Sequence, residues 1–228
     1  AEGEGAPLRL FPDASNALFV SEFPNAIGSG HFNDDTFVDL VTLSATEGNV
    51  SLLLSNGDGT FQEARSFDVG DNPTKVAIAD FNTDGKSDIV TMNADSGDVS
   101  VLLSSEEGLL ASELRLTVDG FVVDITHGDF NSDGHSDLLV AGNVLTVLLG
   151  NGDGTFQDPE ESFAGFSLNG ITVADVDGNG RLDAVKFYSV QRSSGGPGET
   201  FHEVHVFHGL GDGTFSPFST FGGKPTTF

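Results

Sequence analysis

The sequence predicts an all-β protein assembled from repeats of a four-stranded antiparallel unit, and three observations carry that prediction. An aspartate-rich stretch recurs as HFNDDTFVDLV at 31, DFNTDGKSDIV at 80, DFNSDGHSDLL at 129 and DVDGNGRLDAV at 175, in steps of 49, 49 and 46 residues. A second motif keeps the same rhythm: SNGDGTF at 55–61, GNGDGTF at 150–156 and GLGDGTF at 209–215, with a degraded SSEEGLL at 104–110. Between these turns lie short β-branched or alternating segments, and no stretch sustains a 3.6-residue period with helix caps. A unit of 46–49 residues with two turn signals is too long for one coil of a β-helix and suits a blade of a β-propeller.

A half blade comes first, at 8–26, where LRLFPDASNALFVSEFPNA aligns with VSLLLSNGDGTFQEARSF and so supplies the last two strands of an earlier blade. Four complete blades follow at about 27–74, 75–123, 124–169 and 170–221, within one domain spanning 1–228. In the second blade the strands are KVAIADF, DIVTMN, VSVLLS and LLASELRLTV, separated by Gly, Asn, Asp and Ser turns. In such a meander the first and third turns lie at one end, so the aspartate loop and NGDGTF share a rim. The phenylalanines Phe61, Phe156 and Phe215 then anchor between blades, and Phe81 and Phe130 join the same core. The C-terminal GGKPTTF parallels GDNPTKV before a new first strand. The half blade therefore either helps to close a small ring or belongs to a larger propeller. In the fourth blade the second connection lengthens into SVQRSSGGPGET, 189–200, on the opposite face beside Tyr188 and Arg192. Long loops on rigid scaffolds often carry recognition.

Aspartate and glutamate outnumber lysine and arginine 35 to 9, giving a formal charge of −26. That excess argues against nucleic acid, whose phosphates need basic partners, and against anionic membrane surfaces. The absence of cysteine excludes disulfides, thiolate metal sites and thiol nucleophiles. No apolar run approaches the ~18 residues that span a bilayer, so no membrane insertion is expected. The opening AEGEG, with neither methionine nor a signal-peptide pattern, reads as either a processed or an engineered start, with any export signal removed from view.

Crowded like charges cost free energy unless a cation neutralises them. In the second loop oxygen-bearing side chains occupy positions 1, 3, 5 and 9: Asp80, Asn82, Asp84 and Asp88, with Gly85 at the sharp turn and the Lys86 carbonyl at position 7. This matches the first nine positions of an EF-hand loop, whose hard oxygens suit Ca²⁺. Position 12 is Thr91 rather than glutamate and the flanks read as strand, so the EF-hand itself is rejected. The third loop repeats the set with Asp129, Asn131, Asp133, His135 (through its carbonyl) and Asp137, and the fourth with Asp175, Asp177, Asn179, Arg181 (likewise) and Asp183. Asx turns alone would account for one such loop; three with one pattern point to an ion. The first loop has His31 and Thr36 in place of the leading aspartate and the glycine, leaving Asn33, Asp35 and Asp39 as a candidate fourth site. A site with Kd near ~0.1 mM in millimolar calcium gains roughly 1.4 kcal/mol. Three such sites give about 4 kcal/mol against a typical stability of roughly 5–15 kcal/mol. Cytosolic calcium would leave them mostly empty, which places the protein outside the cell or on its surface.

The pattern P-x-x-V-A-x-x-D-F-N-x-D-G-x-x-D followed by V-x-x-L-L-x-N-G-D-G-T-F resembles the FG-GAP/VCBS repeats of integrin-α-like β-propellers, over about residues 8–221. The resemblance implies four-stranded blades, calcium in the first-to-second-strand loops, ligand recognition on the opposite face and no catalytic residues in the repeat. His31, Thr36 and Glu106–Glu107 depart from the pattern.

Enzyme signatures such as G-x-S-x-G, HExxH or a phosphate-cradling glycine loop are missing. The leading reading is a non-catalytic, calcium-binding adhesion or recognition module with a protein or glycan ligand. A sugar-binding propeller is the first alternative, though the chain has no tryptophan and one tyrosine to offer as sugar platforms. An accessory or catalytic part of a secreted enzyme, such as a polysaccharide lyase, is the second. His202, His205 and His208 share one strand, and their spacing of three prevents all of them from gripping one zinc. Asn49-Val50-Ser51 fits a glycosylation sequon.

Overall fold

The structure is a computed structural model; it describes residues 20–21, 23–105, 107–108, 110–111, 113–118, 120–162, 170–192, 199–216 and 219–222. Among these residues there is no helix, and the strands form four separate four-stranded sheets. The first sheet holds β1 (Pro24–Gly30), β2 (Asp39–Ser44), β3 (Asn49–Leu53) and β4 (Arg65–Asp68). The second holds β5 (Pro73–Ala79), β6 (Asp88–Asn93), β7 (Asp98–Leu102) and β8 (Leu114–Thr117). The third holds β9 (Val122–Gly128), β10 (Asp137–Gly142), β11 (Leu145–Leu148) and β12 (Glu160–Ser162). The fourth holds β13 (Ile171–Ala174), β14 (Asp183–Arg192), β15 (Glu199–Phe207) and β16 (Ser219–Gly222). Every sheet is an antiparallel meander in chain order.

Boundaries differ from expectation in three places. Pro24 and Ala26 pair with Ser44 and Leu43, so the first sheet takes the last residues assigned to the half blade; positions 8–19 of that half blade lie outside the described residues. Of LLASELRLTV only Leu114–Thr117 is strand, because the Ala111 N–H donates to the Leu103 carbonyl at 2.7 Å and spends the preceding residues on closing the turn. The connection expected at 189–200 is strand at both of its ends, with Ser189 opposite His202 and Arg192 opposite Glu199. The β-forming run through Val190, Thr200 and Phe201 lets the ladder continue. Residues 193–198 lie outside the described residues.

Side-chain alternation decides how the sheets meet. On β6 and β10, residues one and three places after the leading aspartate face the preceding sheet, while those two and four places after it face the following one. Thus Ile89 and Leu102 pack with Val41, Leu43, Val50 and Leu52. Val90, Met92, Val99 and Val101 pack with Leu138, Val140 and Leu148. Leu139, Ala141 and Val147 pack with Ala184 and Phe207. Strands β6 and β10 are consequently buried on both faces throughout. Each fully buried Leu, Ile or Val stabilises by about 1.5–3 kcal/mol. The first strands β1, β5, β9 and β13 neighbour one another in that succession.

Candidate metal centre

The four aspartate loops connect the first and second strands of each sheet. In loops two, three and four the backbone enters the left-handed region twice, at positions four and six: Thr83 and Gly85 (φ 58° and 86°), Ser132 and Gly134 (63° and 88°), Gly178 and Gly180 (76° and 82°). Glycine tolerates this without penalty, whereas threonine and serine do so only when the surroundings hold them. The second left-handed residue was not legible in the sequence, because Thr83 and Ser132 do not announce it.

This double reversal turns main-chain N–H groups inward toward the carboxylates. Asp80 accepts from Asp84 N at 3.2 Å and Gly85 N at 2.8 Å, and Asp129 from Asp133 N at 3.2 Å and Gly134 N at 3.0 Å. Asp175 accepts from Gly178 N and Gly180 N, both at 2.8 Å, and from Asn179 N at 3.1 Å. Those bonds hold the Asp175 carboxyl below the usual carboxylate range. Position three accepts from the position-five N–H through Asn82, Asn131 and Asp177, at 3.1, 3.0 and 3.1 Å. Position five accepts from the position-seven N–H through Asp84, Asp133 and Asn179, at 2.9, 2.8 and 2.8 Å. Each side chain is thereby fixed in direction while keeping lone pairs for a further partner.

The position-nine aspartates have a role that spacing alone did not reveal. Asp39, Asp88, Asp137 and Asp183 are fully buried. One oxygen accepts the N–H of loop position two: Phe32, Phe81, Phe130 and Val176 at 3.0, 2.9, 2.7 and 3.0 Å. The other accepts the N–H at the start of the third-to-fourth-strand turn: Ser55, Ser104, Gly150 and Gly209 at 2.8, 2.9, 2.8 and 2.9 Å. The two motifs therefore share one rim and are tied through one carboxylate. Burial pushes the Asp88 carboxyl up to about 6, the two backbone donors oppose it, and the negative Asp84 and Asp80 raise it further. Asp137 is raised by burial in the same way, with Asp133 and Asp129 adding to it.

The glycine-rich turns clamp neighbouring sheets. Asp58, Asp153 and Asp212 each accept from the threonine two places on, which lowers their pKa. Phe156 packs on Phe81 of the preceding sheet with ring centroids 5.8 Å apart, and Phe215 on Phe130 at 5.7 Å. Gly154 N donates to the Phe81 carbonyl, and Gly213 N to that of Phe130, each at 3.0 Å. Only glycine suits position 154: its φ is +84° and a Cβ would stand 2.4 Å from the Leu103 side chain.

The first loop is built differently. Neither Asp34 nor Thr36 is left-handed. His31 places Nδ1 3.0 Å from the Phe37 carbonyl, the oxygen at loop position seven. Asn33 and Asp35 do meet, with Asn33 Nδ2 donating to Asp35 at 2.7 Å, and Asp39 makes the same ties as its counterparts. The Lys86 ammonium stands 3.1 Å from Asp34 and 3.9 Å from Asp84, so a protein cation bridges loops one and two. Loops two, three and four thus offer hard oxygens of the kind that suit a divalent cation; the first loop lacks the leading carboxylate, and Lys86 of loop two reaches its Asp34. Beside the fourth loop stands His208, one residue past the end of β15 and so apart from His202 and His205 on that strand. Its Nδ1 lies 3.5 Å from both Asp177 Oδ2 and Asp183 Oδ1.

These features define a protein of tandem four-stranded units, each carrying an aspartate loop and most a GDGTF turn on one rim. The chain belongs to the FG-GAP-like repeat family, which matches residues 31–91 and 93–185. Two solved structures are similar to it. One is the V. cholerae biofilm matrix protein Bap1, 21% identical, with a TM-score of 0.47, over 83% of this chain and 27% of that one. The other is the Photorhabdus luminescens Tc holotoxin pore, 16% identical, with a TM-score of 0.44, over 90% of this chain and 10% of that one. The chain thus spans only a minor part of either protein's length. No curated protein matches it significantly. Among the described residues no helix is long and apolar enough to cross a membrane.

Proposed function

We propose that the four sheets are blades of a β-propeller, that calcium fills rim loops two, three and four, and that the molecule is a non-catalytic extracellular recognition module. The succession of neighbouring first strands supports the propeller arrangement. The observation that carries the calcium reading is the threefold recurrence of one oxygen set on one doubly reversed backbone, each closed by a buried aspartate. Loops of this kind bind calcium at affinities suited to extracellular concentrations, and the formal charge of −26 keeps such a module soluble.

The ligand, a protein or a glycan, meets the face opposite the calcium rim. That face is well braced: Ala94 N donates to the Asn72 carbonyl at 2.9 Å, Asp95 N to that of Asp71 at 3.2 Å, and Asn72 Nδ2 to Asp95 at 2.9 Å. Glu47, Asp71 and Asp95 line a shallow depression there with Thr46, Gly48 and Asn72, which suits a partner presenting cationic or hydroxyl groups. Calorimetric melting with and without EDTA tests the structural role of calcium. Three sites worth about 4 kcal/mol correspond to a fall of roughly 8–16 °C for a domain of this size. An unmoved transition would end the proposal.

A further inference from the structure

His208 occupies a place that is leucine in the other three units. Its carbonyl accepts the Ser216 N–H at 2.8 Å, as those of Leu54, Leu103 and Leu149 accept from Gln62, Ala111 and Gln157 at 2.8, 2.7 and 2.8 Å. Leucine offers a metal nothing, so the place that His208 fills carries no donor side chain in the other three units. In the fourth unit the imidazole Nδ1 and one oxygen each of Asp177 and Asp183 all lie within 4.8 Å of one another.

We propose that the fourth loop, with Asp177, Asp183 and His208 as ligands, is a mixed nitrogen–oxygen site that selects a borderline transition ion such as zinc over calcium. The inference deepens the metal reading of this loop and rests on it, but assigns the loop a different ion from its neighbours. Two bonds of about 2.1 Å at a tetrahedral angle set their ligand atoms about 3.4 Å apart. Nδ1 stands 3.5 Å from each carboxylate oxygen. Neutral imidazole with its proton on Nε2 is a favoured zinc, nickel or copper ligand, whereas calcium takes oxygen. The carboxylates are oriented from behind. Asp183 is held by Gly209 N at 2.9 Å and Val176 N at 3.0 Å. Asn179 N binds Asp177 Oδ1 at 3.1 Å, leaving Oδ2 toward the histidine. Such outer-shell bonds typically change metal affinity 10–100-fold. Solvent reaches the exposed loop and supplies the remaining ligand.

The test is calorimetric titration of the full chain with zinc in millimolar calcium, beside His208→Leu, which installs the residue of the other units. The expected result is one zinc per chain, bound at least tenfold more weakly by the variant. Cobalt should give a visible absorption band that the variant loses. Asp177→Asn, which leaves the Asp183 ties intact, should weaken zinc comparably and serves if His208→Leu does not fold. Equal zinc affinity in variant and parent, or no zinc bound in calcium, overturns the inference. Calcium stoichiometry measured without zinc separates the two proposals, since its loss with histidine-dependent zinc binding retained defeats the calcium reading alone.

Discussion

Asp137 accepts the Phe130 N–H with one carboxylate oxygen, at 2.7 Å, and the Gly150 N–H with the other, at 2.8 Å, while fully shielded from solvent. One side chain thereby joins the aspartate loop to the glycine-rich turn of its own sheet, and the same tie recurs at Asp39, Asp88 and Asp183.

Asp137→Ala strips both N–H groups of their acceptor in a buried place. Each unsatisfied donor costs about 1–3 kcal/mol, so urea unfolding in saturating calcium should show a loss on the order of 2–5 kcal/mol. A loss below about 1 kcal/mol would mean that water replaces the carboxylate, and the rim tie would not be structural.

Calcium should stabilise the protein more strongly as pH rises from about 5 to about 7. In the metal-free fold the Asp88 carboxyl is pushed up to about 6 from 3.8, and Asp137 is raised as well. Between those values the folded state holds more protons than the unfolded chain, so the contribution of these groups to stability falls with rising pH. Ion binding favours the charged form and reverses that trend. Calcium titrations in two buffers of different ionisation enthalpy should detect proton release near pH 5.5 and little at pH 7.5. Release independent of pH would contradict the assignment.

Phe81 and Phe156 couple adjacent sheets. Truncating the buried Phe81 to alanine should cost about 3–5 kcal/mol, and truncating the half-buried Phe156 less. The double-mutant cycle should return about 0.5–1.5 kcal/mol of coupling beyond area burial, the range for tilted aromatic pairs. Strict additivity would show that the rings are independent.

The first loop can be repaired in part. His31→Asp with Thr36→Gly restores the leading carboxylate and the permissive turn residue, and should add one calcium per chain by titration. An unchanged count would assign the decisive defect to the Lys86 bridge, 3.1 Å from Asp34, which Lys86→Gln in the same background would then relieve.

Much of this molecule could be read from its residues in order. The repeat period, the four-stranded unit and the oxygen set of each loop are local properties: a side-chain alternation of two, a turn that needs glycine, and like charges too close to stand alone. Family membership followed from the same local pattern. Tertiary structure decided the rest, because those roles depend on what arrives from elsewhere in the chain. Asp88 reads as a loop ligand from spacing alone, and only the fold shows that Ser104, sixteen residues on, presents its N–H to it at 2.9 Å. His208 looked like a strand histidine until the turn of the third connection set it against Asp177 and Asp183. The ends of the 189–200 connection read as loop in the sequence, whereas cross-strand pairing carries the ladder through Arg192 and Glu199. Sequence spacing fixes which atoms each loop offers; folding determines which distant donors and acceptors they meet, and burial then sets what those meetings are worth.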